Sequence, residues 1–479
     1  MKNNQLIKLL KTFNSKEIKK FSEFISSPYF NKNKNVIKLY DVIKKAHPGF
    51  EQENLTKENL FSSIFPEKKY NDNTLRLLIH LLYERARRFL AQSRFEKDIY
   101  VYKEELASEL FYRELYNESI KEIDKTISEI EKTDIRDQNY FLYKYSFEDY
   151  KLHCLRKMKQ EKYEKYITKS SIETPFKNLT YSFFLNLLSY YSMALNHNKI
   201  YKIDIDTVHF EKFFSCFDYK LFNDSPLIQI HYNIIMIVKT NDEKYFYTVK
   251  NLVQKLEKSL DPVGLHSAYI NMQNFCLGKI TAGEKRFRRE LFEIMKLNLE
   301  KKIHKYEPHM HQNFYKNVLR TAAELKEFEW ANDFIESYKN ELHPDIKEAV
   351  YFYCKAFLEA EKNNLEKSLD YLSTSKTDDI LLKTDLKLLQ ARIYYELNCY
   401  DVLSSAIDSI RHFLKGNKFI PENKRLRFTT FIQCLSALNN ARLKKDEIKI
   451  HKLKDRIHKI EDLQWKDWFI KKIDELEAA

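Results

Sequence analysis

Two glycines five positions apart make one segment a candidate phosphate-binding loop. Gly278 and Gly283 have the spacing at which the backbone amides of such a loop cradle a phosphate. The motif then requires a lysine followed by serine or threonine, but Glu284 and Lys285 stand at those positions, and no strand precedes the segment. We therefore predict a turn between two helices here, and no nucleotide or other cofactor.

Three histidines, His304, His309 and His311, surround Pro308 and raise the question of a metal site. Residues two apart on a helix point to different sides, and no carboxylate or cysteine stands nearby at a ligand spacing. We expect a solvated helix start without a metal. No nucleophile can be matched with a base either, so the sequence names no catalytic residue and we expect no enzyme.

A third candidate is a set of arginines on the helix predicted over residues 72–95. Its members are Arg76, Arg85, Arg87 and Arg88. The segment from Leu55 to Pro66, followed by Asn73 to Ile79, is similar to the last two helices of winged-helix effector domains in bacterial regulators. In those domains the second helix lies in the major groove of DNA. The resemblance implies an alternative function, a bacterial transcription regulator with an N-terminal helical DNA-binding unit and a repeat sensor domain.

The same helix carries an apolar face, which favours packing over DNA binding. If that face is buried, its arginines should contact solvent or pair with local carboxylates such as Glu84, and no β-hairpin wing follows in the sequence. A second basic run, Lys285–Arg289, opens a later helix. Nucleic acid is therefore the alternative partner rather than the favoured one. The apolar face comprises Leu75, Leu78, Leu82, Ala86, Phe89 and Leu90.

The scarcity of glycine and proline determines the predicted fold class. The chain has five glycines and nine prolines in 479 residues, whereas average usage is about 7% and 5%. Two-residue hairpins need glycine, and no sustained alternating run flanked by turn residues occurs. Apolar residues instead recur at helical spacing throughout, and 43% of residues are hydrophobic, enough for a core. We predict an all-α protein.

Internal spacing predicts repeated pairs of helices. Pro226 precedes Pro262 by the same interval that separates Pro308 from Pro344. Prolines before these segments, as in Ser225-Pro226 and Glu307-Pro308, are typical of a first helical turn, and Ser15 and Thr56 are typical N-caps. Residues 356–363 align with residues 391–398, and Leu365 and Leu372 then correspond to Tyr400 and Ile407. Intervals of about 35 residues fit helix–turn–helix repeats.

The repeat pattern resembles the tetratricopeptide repeat family over the last half of the chain. Ala391, Tyr394 and Tyr400 match its small and aromatic packing positions, and Ala331 and Ser368 match the small position of the second helix. Leu403 departs from that position. The resemblance implies a superhelix of antiparallel helix pairs, and we expect Ala356 and Ala391 to lie at close helix crossings.

Residues 1–95 have a different character, with shorter helices separated by proline-containing turns. The runs from Ser26 to Lys34 and from Leu60 to Pro66 look like the start of a group of uncharacterised bacterial helical proteins, a likeness that implies no activity. We place the boundary at the polar residues 95–100. The predicted domains are an N-terminal helical domain, 1–95, and a tetratricopeptide-like domain, 98–479.

Net charge and cysteine content limit the possible cellular compartment and the possible binding partners. The net charge is +13, and residues 1–45 hold eleven lysines but only three acidic residues, which we interpret as a lysine-rich surface rather than an anion-binding arm. Six dispersed cysteines in apolar contexts predict buried free thiols. Residues 178–198 lack formal charge, yet polar interruptions favour a central covered helix over a membrane span. With no signal peptide at the start, we expect a cytoplasmic protein.

These observations favour a non-enzymatic interaction scaffold. Stacked helix pairs bury one face against their neighbours and leave an extended surface free for a partner. We therefore expect a helical-repeat groove that binds a protein or peptide.

Overall fold

A computed structural model describes residues 4–50, 55–201, 203–444 and 447–478. Across these ranges the regular structure is helical and includes no strand, and one isolated β-bridge joins Met310 to Leu342. The prediction of an all-α fold is confirmed. Within the same ranges, every helix is too short or too polar to cross a bilayer. Lys2, one of the eleven N-terminal lysines, lies outside the described residues.

The chain divides into two compact units. The first contains Met1–Lys132 and Tyr143–Phe176, and the second contains Thr133–Leu142 and Lys177–Ala479. The predicted boundary at residues 95–100 coincides with a break between helices at Asp98, and the domain division 1–95 and 98–479 stays a prediction. The first ten helices are α1 (Gln5–Leu10), α2 (Ser15–Ser26), α3 (Lys34–Ile43), α4 (Lys57–Ile64), α5 (Asp72–Lys97), α6 (Ile99–Tyr112), α7 (Tyr116–Glu131), α8 (Gln138–Lys157), α9 (Gln160–Tyr166) and α10 (Ser170–Tyr201).

The core of the first unit forms around one face of α5. Leu75, Leu78, Leu82, Ala86 and Phe89 are all buried, as the periodicity predicts, whereas Leu90 at the edge of that face is 36% exposed. The ring of Phe89 lies 5.7 Å from that of Phe13 and 5.3 Å from that of Phe21. Burial of this face fixes the orientation of every arginine on α5.

Two of the four predicted helix starts are confirmed, and two are corrected. Thr56 caps α4, and Ser225 caps the helix that begins at Pro226. The cap of α2 is Asn14 rather than Ser15, because Asn14 forms a reciprocal capping box with Glu17. Pro308 does not begin a helix, since it lies in an irregular turn before the helix that begins at Gln312.

Helices of the second unit associate in consecutive pairs. The helices that follow α10 are α11 (Val208–Ser215), α12 (Pro226–Thr240), α13 (Glu243–Leu256), α14 (Pro262–Thr281), α15 (Phe287–Glu300), α16 (Gln312–Glu324), α17 (Phe328–Tyr338), α18 (Pro344–Glu361), α19 (Leu365–Thr374), α20 (Ile380–Glu396), α21 (Tyr400–Gly416), α22 (Glu422–Lys444), α23 (Glu447–Lys459) and α24 (Lys466–Glu477). From α12 onward, the two members of each pair contact each other, and the second member contacts the first helix of the next pair. In addition, α16, α18, α20 and α22 contact one another in that order.

Turns within the pairs use left-handed residues that are mostly not glycine. Lys326, Asn363 and Asn398 have φ values of 62°, 66° and 59°. In each turn the next amide donates to a carbonyl five residues earlier, as from Asn364 to Glu359 at 2.8 Å, which is the Schellman arrangement. The turn predicted between Gly278 and Lys285 is also present, with Gly283 at φ 99° between α14 and α15. The chain therefore reverses direction repeatedly with very little glycine.

A small residue in each partner allows two paired helices to approach closely. The Ser368 hydroxyl of α19 donates to the Ala356 carbonyl of α18 at 2.6 Å. The Ser119 hydroxyl makes the same bond to the Ala107 carbonyl at 2.9 Å, again across 12 residues, in the pair α6–α7. All four side chains are buried. Such direct side-chain-to-backbone bonds between helices leave no room for a larger group.

We predict that Ala356→Phe and Ala391→Phe each destabilise the protein by about 1–3 kcal/mol, because both positions are fully buried and overpacking forces backbone shifts. Ala91→Phe, at an exposed position on α5, is the control and should leave the free energy of unfolding unchanged. Urea unfolding followed by circular dichroism measures all three. Wild-type stability in both core variants would contradict the helix crossings described above.

A buried histidine makes the second unit sensitive to acid. His231 of α12 is buried, its Nδ1 atom has no hydrogen-bond partner, and burial lowers its pKa from 6.5 to about 4 despite the opposing charge of Asp261. As the pH falls, the unfolded chain therefore binds a proton at His231 near pH 6.5, whereas the folded chain does not bind it until about pH 4. The contribution of His231 to the free energy of unfolding is fully present above pH 6.5 and is lost as the pH falls toward 4.

We predict that His231→Gln flattens the pH dependence of stability between pH 6.5 and 4. The wild-type chain should lose about 2–3 kcal/mol from this group when moved from pH 7 to 4.5, and the variant should retain that amount. His80→Gln, at an exposed position on α5, should behave as wild type. Parallel pH profiles for wild type and His231→Gln would show that His231 is not responsible.

Candidate functional site

The four arginines that the DNA-binding alternative requires are distributed around α5. Arg76 pairs with Asp72 at 2.6 Å, and Arg87 pairs with Glu84 at 2.8 Å, the local partner expected from the sequence. The Arg88 guanidinium lies 5.3 Å from the ring centroid of Phe30. Two of the four are therefore neutralised by carboxylates on their own helix.

Helical geometry prevents these arginines from forming one face. At 3.6 residues per turn, Arg76 and Arg87 lie about 20° apart around the axis, and Arg85 lies about 180° from Arg76. The Nε atom of Arg85 is buried and has no hydrogen-bond partner. A duplex approaching the Arg76–Arg87 side would thus meet two paired arginines.

The histidine group around Pro308 is divided among three environments. His304 is buried, and its Nε2 atom lies 2.6 Å from a carboxylate oxygen of Glu341. The expectation of solvent exposure is wrong for His304 because Glu341, remote in sequence, packs against it. His311 caps α16 through Nδ1, and the ring of His309 lies edge-on to that of His343. In the described part of the chain, no three His, Cys, Asp or Glu side chains are grouped as metal ligands.

A cluster of cations lies on the surface formed by α16, α18, α20 and α22, which we call the first-helix surface. Lys316 and Arg320 are one turn apart on α16, and Lys424 and Arg427 are nearly one turn apart on α22. We call these four residues the inner cation cluster. The helix contacts α16–α18, α18–α20 and α20–α22 bring the two turns together although the chain separates them widely.

The inner cation cluster has fewer nearby carboxylates than cations. Asp385 of α20 pairs with Lys316 at 2.7 Å, where their side chains are 14% and 9% exposed, and Asp462 lies 3.4 Å from Nε of Arg427. Glu324, one turn from Arg320 on α16, is the third carboxylate near the cluster and is also paired with Arg288. Burial and the positive charges of Arg427 and Lys316 lower the pKa of Lys424. Burial likewise lowers the pKa of Arg427, and the neighbouring Arg320 adds to that effect. Burial is the largest cause of both shifts, like-charge repulsion adds to it, and Asp385 and Asp462 oppose it. A bound anion would relieve the repulsive part.

A buried tyrosine lies among the same charged side chains. Tyr353 of α18 is 1% exposed, and its hydroxyl makes no hydrogen bond of regular geometry but interacts weakly with Arg320. Lys316 lies 5.9 Å from its ring centroid, and Asp385 and Arg320 are its principal charged neighbours. The Tyr353 hydroxyl is therefore enclosed among the charged side chains of the cluster rather than exposed to a ligand.

Side chains of helix α24 pair with α15 and with α20, one of the helices of the first-helix surface. Asp467 at the start of α24 accepts from Arg288 of α15 at 2.5 Å, and Trp468 Nε1 donates to Glu396 of α20 at 2.6 Å. Lys472 pairs with the same Glu396 at 2.8 Å. Although burial favours the neutral acid, the hydrogen bond from Arg288 holds the pKa of Asp467 below its usual range. Within the basic run 285–289, the charge of Arg288 is therefore paired with a carboxylate of the protein itself.

A separate cleft of about 480 Å³ lies between α21 and α22. Arg411, Lys415 and Arg425 line it above Leu414 and Ile432. Arg425 is engaged with backbone carbonyls, donating to Asn417 at 2.7 Å and Ile420 at 3.2 Å, and Arg411 pairs with Asp408 at 2.9 Å. Two of the three cations that line the cleft are therefore already held by contacts within the protein.

Comparison of the chain with protein-family models gives no match, and comparison with curated proteins gives none either.

We predict that Tyr353→Phe leaves the free energy of unfolding unchanged to within about 1 kcal/mol, because the lost hydroxyl makes no hydrogen bond of regular geometry and interacts only weakly with Arg320. The matched variant is Tyr315→Phe. Tyr315 is also fully buried, but its hydroxyl donates to the Ile335 carbonyl at 2.8 Å, so its loss should destabilise by about 1–2 kcal/mol. Chemical unfolding of both variants separates the two cases. Equal destabilisation would show that the Tyr353 hydroxyl has a structural partner.

Proposed function

We propose that the protein is a non-enzymatic interaction scaffold whose first-helix surface binds an acidic segment of a partner protein. The observation that carries this proposal is the inner cation cluster, in which four cations have three nearby carboxylates, those of Asp385, Asp462 and Glu324. Carboxylates of the partner would relieve that repulsion and form charge-assisted hydrogen bonds with Lys424 and Arg427.

The tetratricopeptide-like architecture is part of the same proposal. It is supported by the register of the C-terminal pairs, since α19 begins at Leu365 and α21 begins at Tyr400, the two residues that the sequence alignment equates. Ala331, Ser368 and Leu403 are buried at the corresponding position of α17, α19 and α21. Repeats of this kind leave the first helices of successive pairs as a continuous surface for a ligand.

We predict that a fluorescein-labelled oligoglutamate decapeptide binds the full chain, with an affinity that falls as salt rises. The double variant Lys424→Glu/Arg427→Glu should weaken binding at least tenfold, because it reverses two cations of the cluster. Fluorescence anisotropy measures both affinities. Arg411→Glu/Lys415→Glu changes the net charge equally but alters exposed residues of α21, and it should bind as wild type.

Equal losses in both double variants would show attraction to net charge alone and would contradict the proposed site. A 20-base-pair DNA duplex provides the comparison with the regulator hypothesis. Tight duplex binding that is lost in Arg76→Glu/Arg87→Glu, without oligoglutamate binding, would replace the scaffold proposal with the bacterial transcription regulator.

A further inference from the structure

One face of α10 is apolar and exposed within the second unit. Leu179, Phe183, Tyr190 and Met193 are 42%, 45%, 59% and 50% exposed. The opposite face is also apolar, with Leu185, Leu188 and Tyr191 buried. The sequence predicted that neighbours would cover this uncharged helix on most sides, but they leave this face open. Helices that are apolar all round are normally covered.

The exposed residues follow the spacing of a helix-packing seam. Leu179, Phe183, Asn186, Tyr190 and Met193 are separated by four, three, four and three residues, which is the heptad pattern of a seam that faces another helix. Asn186 is the polar residue at its centre. We call these five residues the α10 seam.

The α10 seam is its own complement when a copy is placed antiparallel to it. With Asn186 on a two-fold axis, Leu179 faces Met193 of the other copy, and Phe183 faces Tyr190. The Asn186 amide nitrogen donates to the Ser182 carbonyl at 2.9 Å, and its oxygen can accept from the copy's amide. A single asparagine in an apolar seam is a recognised determinant of register, and a closed two-fold interface requires this self-complementarity.

The apolar area is sufficient for a pair of copies. Phe213 of α11 is 53% exposed, and its ring lies 5.9 Å from that of Phe183, so it extends the α10 seam. Half-exposed side chains of this size each present on the order of 100 Å². The four apolar residues of the seam and Phe213, on each of two copies, would bury roughly 1,000 Å² in total, the lower range of specific interfaces.

We propose that the α10 seam is a homodimer interface, with two antiparallel copies of α10 related by a two-fold axis at Asn186. The charge pattern favours a second copy over an anionic lipid surface, because residues 178–198 contain no lysine or arginine to contact headgroups. The same absence of charged residues means that no like charges face one another across the two-fold axis.

Sedimentation velocity of the full chain tests the proposal over 1–100 µM protein. Wild type should approach twice the 58.0 kDa monomer mass as concentration rises, and Phe183→Glu and Tyr190→Lys should each shift the dimerisation constant at least tenfold toward monomer. Because residue 183 faces residue 190 of the copy, the double variant Phe183→Glu/Tyr190→Lys should recover dimerisation through two new ion pairs. Phe419→Glu, at a residue 86% exposed outside the α10 seam, should dimerise as wild type.

Wild type that stays monomeric at 100 µM would overturn the proposal, as would a dimer that Phe183→Glu leaves intact. A monomeric wild-type chain that cosediments with phosphatidylserine vesicles would assign the α10 seam to a membrane surface instead. Failure of the double variant to recover dimerisation would refute the antiparallel two-fold geometry. Circular dichroism melting of each variant confirms that the altered side chains, exposed in the monomer, leave the fold unchanged.

Discussion

Close packing of paired helices at small side chains is the constraint on which the second unit depends. A helix of 10–18 residues is marginal in water by itself, so α18 and α19 become stable by burying their facing sides. The Ser368–Ala356 hydrogen bond shows how near the two backbones come. That approach sets the position of α18, and α18 in turn contacts α16 and α20. The charges of the first-helix surface are therefore positioned by contacts on the opposite sides of the same helices.

Local patterns in the sequence were sufficient to predict much of the fold. Helical periodicity identified the buried face of α5, and the alignment of Leu365 with Tyr400 found two true helix starts. Local sequence patterns gave wrong predictions where a neighbouring residue or a tertiary contact determined the structure. Asn14 displaced Ser15 as a cap. Cys216, predicted to be buried, is exposed after the end of α11, while four of the other five cysteines are buried.

The candidate site could not be predicted from the sequence, for a different reason. Lys316 and Lys424 lie on helices three pairs apart, and each has the appearance of an ordinary surface lysine in the sequence. Only the packing of α16 through α22 brings them toward Asp385. The arginines of α5 formed a more visible cluster because three of the four lie within residues 85–88, yet helical geometry spreads them around the axis. Sequence proximity and spatial proximity thus select different basic groups in this protein.

Amide hydrogen exchange with and without the oligoglutamate peptide tests the central claim most directly, because it locates the bound segment without changing the protein. The account predicts slower exchange in α16 and α22 on both sides of the inner cation cluster, with α5 and α21 unaffected. Protection confined to α5, or uniform protection across the lysine-rich surface, would contradict the assignment of the first-helix surface as the binding site.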